Sequence, residues 1–123
     1  MAVPILKQGP FLIASIQSAL TDSDVLQLRD DVMAQVTRHR SRGIIVDVTA
    51  LDVMDSFVSR SLRGIAQMTR LRGAETVIVG IQPEVAFAMV QLGMSFEDVS
   101  TALDLEEGLA LLQAQKEPGD GAG

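Results

Sequence analysis

Short apolar runs with strand-like character alternate along this chain with longer segments of helical spacing. Residues 44–48 and 76–79 are rich in β-branched residues and almost entirely apolar, as is typical of strands covered on both faces of a sheet. Two earlier apolar runs, at residues 3–6 and 11–16, flank the dipeptide Gly9-Pro10. The pattern therefore predicts a hairpin near the amino terminus and two buried strands further along.

Apolar residues recur at every third or fourth position between these strand signals, which predicts amphipathic helices. The first predicted helix covers about residues 23–39, and the second begins after Asp55 or Ser56 and ends at Gly73. Two further helices are predicted at residues 85–92 and at 103 to about 116, with a short edge strand at residues 96–101. Alternation of strands and helices after the hairpin implies right-handed crossovers. The predicted fold class is α/β, with a mixed, mainly parallel β-sheet, an N-terminal hairpin and about four helices.

Length and composition indicate a single domain. The chain has 123 residues, of which 47% are hydrophobic, and this composition excludes disorder over most of its length. We predict one domain over residues 1–116 and a disordered, glycine-rich tail over residues 117–123.

Charge and cysteine content exclude several classes of protein. The chain has 16 acidic and 10 basic residues and a net charge of −6, so it is a poor candidate for contacting nucleic-acid phosphates. It has no cysteine, which excludes disulfides and thiolate metal sites. The amino terminus lacks the pattern of a signal peptide, and no apolar stretch reaches membrane-spanning length. We expect a cytoplasmic protein with no nucleic-acid or membrane partner.

Residues suited to catalysis or to holding a cofactor are scarce. His39, the only histidine, lies at a predicted helix end, where the plainer interpretation is a cation near the helix carboxyl terminus. Neither a Gly-x-Ser-x-Gly elbow nor a phosphate-binding loop with its lysine is present. Asp47 ends a central strand, as the phosphorylated aspartate of a receiver domain does, but the other residues that a receiver needs are missing. We therefore expect no enzyme activity, no cofactor and no metal.

The start of the second predicted helix is the one place where the residues suggest a physical mechanism for regulating the binding of a partner. Either Asp55 or Ser56 can be the N-cap residue there, and most such pairs are nothing more than a helix start. Phosphorylation of Ser56 would add about 1.5 to 2 negative charges where unpaired N–H groups and the helix dipole favour an anion. Arg60 is within reach of such a phosphate, whereas Asp52 and Asp55 would repel it. A partner bound over this helix end would be expelled while the domain stays folded.

Other hydroxyl groups compete with Ser56 as the acceptor. Ser59 and Ser61 lie one turn inside the helix, where a kinase has poor access. Thr49 follows the central strand and is a weaker second candidate. Geometry favours Ser56 without deciding the question.

Several motifs in combination are specific to a known family. They are Pro4-Ile-Leu-Lys7, Ser15-Ile-Gln17, Ile44-Ile-Val-Asp-Val-Thr49, Asp52-Val-Met-Asp-Ser-Phe57, Gly80-Ile-Gln-Pro83 with Leu92-Gly93, and Thr101-Ala-Leu-Asp-Leu-Glu-Glu-Gly108. Through these segments the chain resembles the STAS domains of bacterial anti-sigma-factor antagonists, in particular the single-domain scaffolds of the stressosome. The resemblance covers almost the whole chain except the tail.

The resemblance implies a phosphorylation switch and a set of partners. Ser56 would be phosphorylated by an RsbT-like serine kinase, which the unmodified protein sequesters and the modified protein releases. The chain would assemble with itself and with RsbR-like STAS sensor paralogues, and an RsbX-like phosphatase would reset the serine. A free-standing antagonist of an anti-sigma-factor kinase is the main alternative, and a small α/β enzyme is an alternative from another class.

The residues around Ser56 are predicted to form the kinase-docking surface. For Asp47 and Thr49, capping of the strand end is the simpler interpretation. The Phe57 side chain is expected to lie mainly in the core, because exposing an aromatic ring is costly. The predicted docking residues are Asp47, Thr49, Asp55, Phe57 and Arg60.

Overall fold

The computed structural model of the chain describes residues 3–91 and 99–122, with side chains as far as residue 114. Within these ranges the backbone forms five strands and four helices. In chain order they are β1 (Ile5–Gln8), β2 (Phe11–Ser15), α1 (Asp22–His39), β3 (Gly43–Asp47), α2 (Ser56–Leu71), β4 (Glu75–Val79), α3 (Pro83–Gln91), β5 (Ser100–Ala102) and α4 (Leu105–Ala122).

The five strands form one sheet in chain order. β1 pairs with β2 in antiparallel orientation, and each later neighbouring pair is parallel. The hairpin turn pairs Gln8 with Phe11, and Gly9 adopts a φ of 61° that glycine tolerates best. The sheet confirms the predicted α/β class, the N-terminal hairpin, the mainly parallel strand order and the four helices.

Helices cover both faces of this sheet. The helices α1, α2 and α3 share one core with alternate residues of the central strands, such as Leu12, Ile44 and Ile78. On the other face, α4 contributes Leu112 to a second cluster with Ile45 and other strand residues. Coverage on both faces explains why β3 and β4 read as nearly unbroken apolar runs.

Element boundaries differ from the predicted ones where local hydrogen bonds decide them. The first strand is Ile5–Gln8 rather than residues 3–6, because the tight hairpin turn keeps Gln8 paired. The helix α1 starts at Asp22, because the Thr21 hydroxyl accepts from the Asp24 N–H at 3.1 Å and the Asp24 carboxylate accepts from the Thr21 N–H at 3.0 Å. These two bonds form a capping box.

The carboxyl-terminal part of the chain differs more from the predicted element boundaries. β5 is only Ser100–Ala102, and residues 92–98, which hold half of the predicted edge strand, lie outside the described residues. The backbone of α4 is helical as far as Ala122 instead of ending near Lys116. The separate disordered tail over residues 117–123 stays a prediction.

The strand directions give the molecule two distinct ends. We call the edge where the parallel strands end the carboxyl edge, and the edge where they begin the amino edge. The helix α2 connects β3 to β4, so Ser56 lies at the carboxyl edge and Arg72 lies at the amino edge. A helix of 16 residues rising about 1.5 Å per residue separates them by roughly 24 Å.

Candidate functional site

The loop between β3 and α2 is held in place by its apolar side chains. Leu51 and Met54 are both buried in the main core, 3% and 6% exposed. The Leu51 N–H donates to the Val48 carbonyl at 2.9 Å and closes a turn just after the strand. Between these anchors Asp52 and Val53 face solvent. The loop therefore presents its polar end, and the start of α2, in one defined position.

Asp55 is the N-cap residue of α2, and Ser56 is the first helical residue. The Asp55 carboxylate accepts from the Val58 N–H at 2.8 Å, and the Asp55 carbonyl accepts from the Ser59 N–H at 3.0 Å. This decides between the two N-cap candidates that the sequence leaves open. The Ser56 side chain is consequently free of a capping role and is exposed.

The first turn of α2 retains unpaired donors close to Ser56. Within the described residues, the N–H groups of Ser56 and Phe57 have no hydrogen-bond acceptor. These groups and the helix dipole create a positive potential at the helix start. The Arg60 side chain is exposed one turn further along the same helix. The arrangement can accommodate an anion attached to Ser56.

Phe57 does not share the exposure of Ser56. Its ring is partly buried and packs against the main core. Most of the Phe57 ring surface therefore belongs to the core, which is the interpretation that the sequence favours. Phe57 directly follows Ser56 in the sequence, and part of its ring is exposed.

Asp47 and Thr49 form a separate hydrogen-bonded unit at the end of β3. The Asp47 carboxylate accepts from both the N–H and the hydroxyl of Thr49, at 2.9 and 2.6 Å. Asp47 is partly buried, whereas Thr49 is exposed. The structure shows no hydrogen bond from this pair to Asp55 or Ser56 among the residues it describes. The capping interpretation thus accounts for the bonds of Asp47.

Two residues that were not predicted for the site lie against Thr49, in the connection between β4 and α3. The Gln82 side-chain amide donates to the Thr49 carbonyl at 2.7 Å. Gly80 has a φ of 80°, and a Cβ at this position would overlap the Thr49 side chain. Both belong to the segment Gly80-Ile-Gln-Pro83, so its presence among the family motifs was the available signal.

Exposure separates the hydroxyl groups that compete as acceptors. Ser59 is 4% exposed, and its hydroxyl oxygen is buried with no hydrogen-bond partner among the described residues. Ser61 is partly exposed, but it lies inside α2. Ser56 and Thr49 are the two exposed hydroxyl residues among the four candidates. Ser56 stands at a helix start and Thr49 in a hydrogen-bonded turn, so Ser56 remains the better candidate.

Groups that could support other chemistry are not assembled in the described part of the chain. No cluster of three or more histidine, cysteine or acidic side chains that could hold a metal occurs among the described residues. His39 lies in the last turn of α1, close to the helix carboxyl terminus. No described helix combines the length and apolar character needed to cross a membrane.

Comparison with known proteins assigns the chain to a class. Residues 2–108 match the family model of the STAS domain. The chain therefore belongs to the STAS family, as its motifs predict.

Particular relatives place it near the proteins of the stressosome. Over 83 residues the chain is 30% identical to the RsbT co-antagonist protein RsbRA of Bacillus subtilis (strain 168), covering 68% of this chain and 30% of RsbRA. RsbRD of the same organism is 31% identical over 81 residues, which are 66% of this chain and 29% of RsbRD. The chain thus spans about a third or less of the length of these curated relatives.

Two solved structures cover nearly the whole chain. One is RsbS of Moorella thermoacetica carrying a serine-to-glutamate substitution, with a TM-score of 0.82, 33% identity, and coverage of 94% of this chain and 97% of that one. The other is a chain from a structure of the molecular architecture of the stressosome, described as a signal integration and transduction hub. Its TM-score is 0.76, with 31% identity and coverage of 92% and 98%.

Proposed function

We propose that this chain is a non-enzymatic stressosome scaffold that sequesters an RsbT-like serine kinase and releases it when Ser56 is phosphorylated. The observation that carries the proposal is the exposed Ser56 hydroxyl at the first position of α2, next to a helix cap made by Asp55. The likeness to RsbS, to a stressosome structure and to proteins named RsbT co-antagonists supports the setting.

Phosphorylation at this position changes the surface without changing the fold. The phosphate adds about 1.5 to 2 negative charges and three acceptor oxygens. The unpaired N–H groups of Ser56 and Phe57 and the exposed Arg60 stabilise this charge locally. Because Asp55 already caps the helix, the helix start does not depend on the serine hydroxyl.

The same charge lowers the affinity of the protein for the kinase. A docked partner excludes water from the helix start, and a desolvated dianion without a cationic match costs several kcal/mol. That penalty lowers affinity by orders of magnitude, since about 1.4 kcal/mol corresponds to a factor of ten. Ser56 therefore acts as a binary switch on binding.

The docking surface follows the carboxyl edge of the sheet around Ser56. Thr49 and Asp55 present exposed polar groups, and Arg60 supplies a cation. Asp47 positions Thr49 through two hydrogen bonds, and the exposed part of the Phe57 ring contributes an apolar contact surface. Each of these residues contacts or positions the kinase in this proposal.

The proposed setting is a large assembly in the cytoplasm. Curated relatives are more than twice as long as this chain, so the chain would contribute its STAS domain beside the STAS domains of RsbR-like sensor paralogues. An RsbX-like phosphatase would remove the phosphate from Ser56 and restore kinase binding. No cofactor enters the mechanism.

Phosphorylation itself is tested with the cognate kinase, ATP and peptide mass spectrometry. We expect one phosphate per chain, located on Ser56. Ser56→Ala is expected to keep the fold and the bound kinase but to block release. Ser61→Ala, which removes a competing hydroxyl of the same helix outside the proposed docking residues, is the matched control that should be modified normally. If Ser56→Ala is modified to the same stoichiometry as the unchanged protein, the acceptor is another hydroxyl and the proposal is wrong.

A charge mimic tests how the switch operates. Ser56→Asp supplies about half the charge of a phosphate and fewer acceptor oxygens. It is therefore expected to weaken kinase binding only in part, as measured by isothermal titration calorimetry. Complete loss of binding in this variant would show that charge sign alone is sufficient.

Size-exclusion chromatography with an RsbR paralogue separates the scaffold from the free-standing antagonist. A complex in the megadalton range supports the scaffold, whereas a small heterodimer supports the rival. Turnover of a phosphoester or nucleotide by the isolated protein, abolished by Asp47→Ala or Ser56→Ala, would instead support a small α/β enzyme.

A further inference from the structure

A pocket at the amino edge of the sheet is lined by three arginines from separate parts of the chain. Arg40 follows α1, Arg42 directly precedes β3, and Arg72 follows α2. The pocket has a volume of about 470 Å³, which lies within the usual range for small-molecule sites. The other lining residues are Val36, Thr37, Ser41 and Gly73.

Backbone hydrogen bonds hold the segment between α1 and β3 in place on both sides. The Arg42 N–H donates to the Pro10 carbonyl at 2.8 Å, and the Arg42 carbonyl accepts from the Glu75 N–H at 3.0 Å. The arginine is thereby tied to the residues that precede both neighbouring strands. A fixed backbone lowers the entropic cost of binding a ligand, because the pocket need not be ordered by it.

The helix ends beside the pocket do not use the arginine side chains as caps. Cations after the last turn of a helix commonly donate to its free carbonyl groups. Here backbone groups occupy them, because the Arg40 N–H donates to the Val36 carbonyl and the Arg72 N–H donates to the Thr69 carbonyl at 2.9 Å. Within the described part of the chain, neither guanidinium group donates to a helix carbonyl. Both side chains are therefore available to a further group.

The positive charge of the pocket is not neutralised by the described residues. None of the three arginines forms an ion pair with a carboxylate among these side chains. Glu75, which shortly follows Arg72 in the chain, lies 3.9 Å from Arg70 instead. Three like charges around one pocket repel each other, so an anion bound between them lowers the electrostatic energy. This local concentration of cations occurs in a chain whose net charge is −6.

Two further observations indicate that the pocket binds a ligand. Ser41 lines the pocket although it is only 5% exposed, and its hydroxyl group forms no hydrogen bond with another described residue. Arg40 has φ 48° and ψ 46°, a left-handed conformation that favours glycine, and it is the only non-glycine residue with positive φ in the described structure. A hydroxyl without a partner and a charged side chain at a strained position both support a functional role.

The lining determines the chemistry of the ligand. Arginine presents a planar fork of N–H donors that matches phosphate oxygens, and three such groups can contact more than one phosphate. The hydroxyl groups of Thr37 and Ser41 add neutral polar partners. Val36 is the only apolar side chain in the lining, and no aromatic ring is present there on which a base could stack.

We propose that this pocket binds a small, non-aromatic ligand that carries at least two phosphate groups. The phosphates contact Arg40, Arg42 and Arg72, and the ligand supplies the missing hydrogen-bond partner of Ser41. The pocket and Ser56 lie at opposite ends of α2, separated by roughly 24 Å, so binding here leaves the proposed phosphorylation site open. The inference goes beyond the switch at Ser56 and requires neither a kinase nor phosphorylation.

Isothermal titration calorimetry of the full chain at low ionic strength, with pyrophosphate, inorganic phosphate and ADP as probes, tests the ligand class. We expect one saturable site for pyrophosphate, with a Kd at least about tenfold lower than that for inorganic phosphate, because the second phosphate adds a charge-assisted contact. ADP is expected to bind no more tightly than pyrophosphate, and salt should weaken binding. Absence of saturable binding, equal Kd values for phosphate and pyrophosphate, or much tighter binding of ADP overturns the proposal.

The location of binding is tested separately, because the start of α2 also favours an anion. Backbone amide NMR signals are recorded while pyrophosphate is added. We expect the largest shifts at Arg40, Ser41, Arg72 and Gly73, and little change at Ser56. Shifts concentrated at Ser56 would place the anion at the helix start and contradict the assigned pocket.

Substitutions within the pocket give the sharper test. Arg42→Gln and Arg72→Gln are each expected to raise the Kd for pyrophosphate at least about tenfold, and Ser41→Ala several-fold. Arg38→Gln removes the same charge from an exposed arginine in the last turn of α1 that does not line the pocket, and it is the matched control. Circular dichroism checks that each variant keeps the fold. An equal rise in Kd for all four variants would show only the effect of net charge and overturn the proposal.

A phosphorylated lipid headgroup presents similar chemistry on a membrane surface. The net charge of −6 opposes approach to an anionic surface, so we expect a ligand that is free in solution. Sedimentation with vesicles of phosphatidylcholine and phosphatidic acid is expected to leave the chain in the supernatant. Co-sedimentation that Arg42→Gln abolishes, together with no binding of pyrophosphate, would contradict a soluble ligand.

Discussion

The Ser59 hydroxyl is buried in α2 and has no hydrogen-bond partner in the described part of the chain, and its removal tests how this helix is held against the core. A buried hydroxyl that lacks a partner costs about 1–3 kcal/mol, because water solvates the same group in the unfolded chain. Alanine also has a higher helix propensity than serine, by about 0.5 kcal/mol. Against these gains, loss of one oxygen leaves a void of about 10–15 Å³, which costs only about 0.3 kcal/mol.

Ser59→Ala is therefore expected to raise the free energy of unfolding by about 1–3 kcal/mol. For a domain of 123 residues this corresponds to a rise in Tm of about 4–12 °C, measured by differential scanning calorimetry. Ser61→Ala on the same helix is the control. Because Ser61 is partly exposed, this variant should be stabilised only by the higher helix propensity of alanine. A Tm below that of the unchanged protein would falsify the assignment of an unpartnered hydroxyl. Phosphorylation at Ser56 is expected to proceed normally in Ser59→Ala.

Three further substitutions probe the local structure, each followed by thermal or urea unfolding. Asp55→Ala is expected to lower stability by about 1 kcal/mol through loss of the helix cap, and Asp55→Asn, which keeps an acceptor, should lose little; equal losses would contradict the capping role. Arg40→Gly is expected to raise stability by about 0.5–1 kcal/mol at high salt, because glycine relieves the left-handed strain, and a decrease would contradict this. Gly80→Ala is expected to lower the free energy of unfolding by about 2–4 kcal/mol, because Gly80 has a positive φ and a Cβ there would overlap Thr49. Gly9→Ala, where φ is also positive but the space is open, should lower it by about 1 kcal/mol. Equal losses would show that the overlap with Thr49 is harmless.

Local patterns in the sequence determine the order of elements and the position of the candidate acceptor. Apolar periodicity depends on neighbours within one or two turns, so helices and strands can be recognised without knowledge of their partners. Helix capping is equally local, which is why a helix start at Asp55 and Ser56 could be predicted. The sequence left open which of the two residues makes the cap, because both side chains can accept a hydrogen bond.

Only the tertiary structure decided which of these residues meet and which face solvent. Gln82 braces Thr49 across 33 positions of the chain, because β3 and β4 are neighbours in the sheet. Burial of the Ser59 hydroxyl likewise depends on how α2 packs against the core, which a serine within an amphipathic pattern does not reveal.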